Sequence, residues 1–172
     1  MTLRADAKLA GITMLVYIAA GLSSLALSRF VIATALFAWV TAFCALILGV
    51  TFYAITRRQD AELALLALTC RVVEAMPGNG EIFFAVGSAI FCWLLWRGRM
   101  IPAALALFGF VASLLVVLML VLQLAGWFGG ARSWSSPFTW AAWLPLLVFE
   151  VTVAIWLIAN GVREPGTHSE SR

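Results

Sequence analysis

The chain has 172 residues, of which 64% are of apolar type and only 11% are charged, and its mean hydropathy is +1.04. A soluble domain carries a charged shell amounting to about a quarter of its residues, so this composition excludes an ordinary water-soluble core and makes lipid the solvent for most of the surface. The formal net charge of +3 comes from basic residues spaced between apolar runs, with no cluster of Lys and Arg on a polar module, which gives nucleic-acid binding no support.

A hydrocarbon core of about 30 Å needs roughly 20 apolar residues wound as helix, because every backbone N–H and C=O must be satisfied internally there. The first apolar run, Leu9 to Ile55, is too long for one crossing, and its polar break at Ser28 and Arg29 divides it into two helices. Arg4 and Lys8 precede the first span as they would a signal peptide, yet its apolar stretch exceeds a signal core and leads straight into another span, so it is read as retained. Four further spans follow at Ala61 to Met76, Ile82 to Trp96, Ile101 to Trp127 and Phe138 to Val162. Pro77-Gly78 stops the third, and Pro102 suits the first turn of the fifth. The third and fourth spans are short and read as tilted elements or elements buried among longer neighbours. The expected architecture is all-α: a polytopic membrane bundle of six transmembrane helices over residues 1–163, with a short polar cytoplasmic tail over 164–172.

Orientation follows from the Lys and Arg count on alternate loops. Arg4, Lys8, Arg57, Arg58, Arg97, Arg99, Arg163 and Arg172 fall on one side, Arg29 and Arg132 on the other, and Arg71 lies within a span, which accounts for all eleven basic residues. The eight-residue side is expected to be cytoplasmic, which places both termini inside and the protein in the cytoplasmic (inner) membrane. Trp127, Phe128, Trp134, Phe138 and Trp140 gather at the outer boundary, with Tyr53 and Trp96 at the inner one, as an interfacial belt. Ala38 with Ala42, and Gly109 with Ser113, set small residues one turn apart where helices can approach closely.

The informative side chains are those that are costly to insert. A charge at the bilayer centre costs about 2.5 to 3.5 kcal/mol on insertion scales, so it faces protein or water and finds a partner. Arg71 and Glu74 stand three apart on one face of the third helix, where they can touch, and Arg71 and Glu150 both fall near mid-depth. The third and sixth helices are therefore expected to be neighbours, with Arg71 as a hub whose fork of donors bridges the two carboxylates. One permanent positive charge then faces two acids. The carboxylate in excess is expected to be protonated or to hold a bound cation or amine, with Glu150 the better candidate because Glu74 is closer to Arg71 in sequence. Pro145 removes a backbone hydrogen bond five residues before Glu150 and frees carbonyl oxygens nearby. The bland alternative is a polar clamp that only fixes helix packing. Tyr17, Thr69 and Gln123 are the supporting hydrogen-bonding groups, and Glu81 is read as an acid complementing the dipole at the start of the fourth helix.

Other chemistries lack their residues. The one histidine, His168, lies in the tail, so neither a bis-histidine haem site nor an intramembrane histidine metal centre can be assembled. Hydrolase, metalloprotease and phosphate-cradling motifs do not occur, so no cofactor or metal is expected. Cys44, Cys70 and Cys92 fall singly in three different apolar runs and read as small buried hydrophobes.

Ala7-Lys8-Leu9-Ala10-Gly11, Ala64 to Met76 (ALLALTCRVVEAM), Trp96 to Phe110 (WRGRMIPAALALFGF) and Leu144 to Val162 (LPLLVFEVTVAIWLIANGV) together resemble a bacterial multi-pass membrane family known as domain of unknown function 4386. The resemblance implies a compact helical membrane protein and matches Arg71, Glu74 and Glu150 to family positions. It also implies a longer connection after the first helix, which this chain lacks around Arg29.

Three functions fit these readings. The leading one is a small membrane protein whose Arg71, Glu74 and Glu150 cluster binds a small ligand, cation or proton, as part of a transport path. The second is an accessory, sensor or assembly subunit that binds other membrane proteins and uses the cluster for packing alone. The third, less favoured, is an intramembrane enzyme using a Glu as general acid or base.

Overall fold

Long apolar runs broken by short polar turns produce helices and nothing else among the described residues, which are 3–76, 80–127 and 136–163 of a computed structural model. The helices are α1 (Leu3–Ala26), α2 (Val31–Thr56), α3 (Ala61–Glu74), α4 (Gly80–Arg97), α5 (Ala103–Leu124) and α6 (Pro137–Ala159). The expected separators at Pro77-Gly78-Asn79, the aromatic residues Phe128 and Trp134, Arg132, and the tail with His168 lie outside the described residues.

The turns form where side chains and backbone supply the donors and acceptors that helix ends lack. Between α1 and α2 the Phe30 amide donates to the Leu27 carbonyl at 2.8 Å, and the Thr34 hydroxyl reaches that same carbonyl at 3.2 Å. Asp60 caps α3, its carboxylate accepting from the Leu63 amide at 3.0 Å, and also faces Arg97 at the end of α4 at 3.8 Å. Pro102 stands immediately before α5 as its cap with an extended ψ of 132°. The sequence places it in the first turn of α5, and it stands one residue ahead of that turn instead. The Arg163 amide donates to the Met100 carbonyl at 3.0 Å, tying the end of α6 to the α4–α5 turn.

Each helix packs on the next in the chain, and α6 packs back on α1, so the six close into a ring. This corrects one expectation: α3 packs against α2 and α4, while α6 packs against α5 and α1. Arg71 of α3 and Glu150 of α6 line one cavity inside the ring without their helices being neighbours. Small residues let α3 sit deep between its flanking helices, since a Cβ on Gly49 of α2 would lie 2.9 Å from the Arg71 Cβ, and one on Gly87 of α4 would lie 3.0 Å from the Cys70 Cβ. The pair Gly109 and Ser113 is buried as expected, whereas Ala38 is exposed and lines a cleft.

Five helices, α1, α2, α4, α5 and α6, are long and apolar enough to cross a membrane. The 14 residues of α3 rise only about 21 Å at 1.5 Å per residue, less than the hydrocarbon thickness. Large apolar side chains such as Ile32, Trp39, Phe43, Leu118 and Ile155 are more than half exposed around the outside of the ring, as lipid-facing positions require. The fold is that of a helical membrane bundle.

Candidate functional site

The site begins on α3, where helical spacing brings residues 71 and 74 onto one face. Arg71 Nη1 donates to Glu74 Oε2 at 2.7 Å, and the other carboxylate oxygen, Oε1, accepts from the Tyr17 hydroxyl of α1 at 2.6 Å. Glu74 is thereby satisfied from two helices. Arg71 is only 2% exposed. Its Nη2 makes a long 3.4 Å contact with Ser88 Oγ of α4, and its Nε has no hydrogen-bond partner among the described residues. The guanidinium carbon lies 4.9 Å from the Phe84 ring centroid and 6.0 Å from that of Tyr17, within cation–π range.

Those rings belong to a wall. Tyr17 stacks on Phe84 with centroids 6.0 Å apart and planes 13° from parallel, and Phe84 stacks on Trp143 of α6 at 5.7 Å and 15°. The wall thus joins three helices that are not all neighbours in the ring.

Glu150, on α6 and 7% exposed, occupies a different position from the one expected. Arg71 does not bridge the two acids; among the described residues its only ion pair is with Glu74, and no hydrogen bond or ion pair reaches the Glu150 carboxylate. Arg71 and Glu150 instead line one small internal cavity with Ser88 and Cys92. Its volume of about 20 Å³ is that of roughly one water molecule. On its other side Glu150 lines a much larger cleft of about 510 Å³, bounded by α1, α2, α4 and α6 toward the α1–α2 turn. Tyr17, Glu81, Phe84, Trp140 and Trp143 contribute to its walls. Glu150 therefore stands between the two spaces. A depression of similar size, about 530 Å³, lies at the opposite end of α1 and α2 near Asp6, Arg57 and Arg58 and does not touch the cluster.

The remaining expected residues divide. Tyr17 joins the cluster, but the Thr69 hydroxyl donates to its own helix at the Leu65 carbonyl, 2.9 Å away, on an exposed face. Gln123 donates to Thr139 Oγ1 at 2.9 Å and links α5 to α6 away from the charged group. Glu81 is in the first turn of α4 as expected and in addition borders the cleft. Pro145 lies inside α6, which continues through it. Sequence reasoning did not find Ser88, Phe84 or Trp143. Ser88 carried a usable signal as the one hydroxyl within the apolar α4, and Phe84 lies one turn before it on the same face. Among the described residues no group of three or more His, Cys, Asp or Glu side chains is arranged to hold a metal, and the three cysteines are free and buried.

Residues 78–161, which include α4, α5, α6 and Glu150, match the model of a family described as Domain of unknown function (DUF4386). The chain resembles that family over this stretch, while Tyr17, Arg71 and Glu74 precede it. No curated protein and no solved structure matches the chain.

Proposed function

We propose that this is a membrane protein of six spans with cytoplasmic termini that binds a small ligand in the 510 Å³ cleft, with Glu150 as the group that meets it, on a path for transport across the bilayer. One observation carries the reading: Glu150 is a buried acid that no hydrogen bond or ion pair reaches among the described residues, and it lines both an open cleft and an internal cavity. An acid at such depth is costly, and it is retained where water, a proton or a ligand satisfies it. The cleft volume falls in the range of small-molecule sites, about 300 to 1,000 Å³. Arg71 and Tyr17 form the frame with Glu74, whose two carboxylate oxygens they satisfy. The inner orientation of the termini is supported by the eight-to-two division of basic residues, and α3 is read as a short span shielded by its longer neighbours.

Ligand-induced stabilisation tests this. A ligand at about 100 times its dissociation constant stabilises the folded state by about 2.7 kcal/mol. Purified protein is heated in the presence of small amines, carboxylates, alcohols and alkali cations, beside the Gly21→Phe variant. Gly21 borders the cleft and has open space where a side chain would go, so the aromatic ring fills the site. At least one compound is expected to raise the melting temperature of the native chain and to leave that of the variant unchanged. Equal melting temperatures across all compounds sink the proposal.

A second reading, an accessory subunit, is favoured by the ridge of Ile32, Leu36, Trp39 and Phe43 on α2, all more than half exposed. A stoichiometric partner that co-purifies from native membranes and is lost on Trp39→Ser would support it.

A further inference from the structure

We infer that the ligand of this cleft is an organic ammonium ion carrying an apolar body. The inference rests on the cleft being a ligand site and goes on to its chemistry. The sign of the charge comes from the walls. The described residues that line the cleft include two acids, Glu81 and Glu150, and no Lys, Arg or His. Arg71, the nearest buried base, is not a lining residue, and its charge is taken up by Glu74. A positive ligand group in the cleft thus meets Glu150, while Arg71, which shares the small cavity with Glu150, is itself paired with Glu74, in surroundings where little water screens the charges.

The shape of the partner comes from the aromatic wall. Tyr17, Phe84 and Trp143 line the cleft and stack on one another, and aromatic rings attract cations, organic ammonium groups above all. The protein itself demonstrates the affinity, because the inner end of the wall already holds the Arg71 guanidinium, 4.9 Å from the Phe84 centroid. The rest of the lining is largely aliphatic, including Leu22, Leu25 and Leu144. A bare inorganic cation requires six or more oxygen ligands in the case of Ca²⁺ or Mg²⁺, and the cleft lining offers two carboxylates, with no group of three or more His, Cys, Asp or Glu placed to hold a metal among the described residues. A cleft of about 510 Å³ has room for an amine together with a ring or alkyl chain.

Three probes of matched size decide the matter: phenethylammonium, phenethyl alcohol and 3-phenylpropionate. Binding is read by the fluorescence of the cleft tryptophans and by the melting temperature. Phenethylammonium is expected to bind about tenfold more tightly than the alcohol, and the carboxylate more weakly than either. Glu150→Gln should abolish the preference for the amine and leave the alcohol within about twofold of its native affinity, which also shows that the variant is folded. Trp143→Leu, which thins the wall and keeps the carboxylate, should weaken the amine more than the alcohol. Equal affinity for amine and alcohol, or a preference that survives Glu150→Gln, overturns the ammonium assignment while leaving the cleft as a ligand site. If none of the three binds and Gly21→Phe behaves like the native chain, the ligand site falls with it.

Discussion

Replacing Arg71 with Met removes the buried cation and keeps an unbranched apolar stem in its place. At the 2.7 Å separation from Glu74, and with an effective dielectric constant of about 20, the direct attraction is about 6 kcal/mol. Desolvation of both ions consumes most of this, so the intact pair adds little net stability, whereas removing one partner leaves a buried charge and costs about 3–5 kcal/mol. Glu74 keeps the Tyr17 hydroxyl in the variant, which puts the expected loss near the lower end, about 3 kcal/mol. The double variant Arg71→Met with Glu74→Gln removes both charges and retains an acceptor for Tyr17, and it should return to within about 1 kcal/mol of the native chain. Glu74→Gln alone leaves Arg71 unmatched and should also cost about 3 kcal/mol, so the coupling between the two sites is about 5 kcal/mol. Reversible unfolding in mixed micelles of mild detergent and dodecyl sulfate, followed by far-ultraviolet circular dichroism, measures all four corners of the cycle. Losses that simply add in the double variant would refute the view of this pair as a closed, self-neutralising unit.

Two further outcomes test the packing. A Cβ on Gly109 would fall 2.3 Å from the Phe149 ring, whereas one on Gly21 meets nothing within 4 Å; Gly109→Ala is therefore expected to destabilise by about 1–3 kcal/mol and Gly21→Ala to cost nothing, as read in the same unfolding assay. Arg99, between α4 and α5, has a φ of 50°, a left-handed conformation that costs a side-chain-bearing residue about 1–2 kcal/mol. Arg99→Gly should raise the melting temperature, and a lowered one would show that the Arg99 side chain holds the turn together.

The boundaries of the helices were legible because polar breaks interrupt apolar runs: Ser28 and Arg29 fall in the observed α1–α2 turn, and Arg97 ends α4 with Arg99 inside the turn that follows. The Arg71–Glu74 pair was legible for a different reason, as i, i+3 spacing fixes it without tertiary information. The position of Glu150 was not, because an acid 79 positions beyond Arg71 on a helix that does not pack against α3 can approach it only through the interior of a ring. Faces were the hardest to read. In water an apolar stripe marks the core side of a helix, but here the lipid side is equally apolar, so Phe84 and Trp143 looked no different from exposed Phe43. The cleft left no trace in the pattern at all, since it arises from how α1, α2, α4 and α6 lean together.

The locality of the Arg71–Glu74 contact also bears on biogenesis. A chain inserted during synthesis delivers α3 before α4, α5 and α6 exist, and the ring cannot close on α1 until α6 has been made. Because Glu74 belongs to the same helix and lies one turn from Arg71, the cation leaves the translocation machinery already matched by its own anion. Tyr17, on the first helix, is also present by then to receive the pair. Glu150 arrives later, on the helix that closes the ring, so the acid that no hydrogen bond or ion pair reaches among the described residues is one added after α1 to α5 are in place.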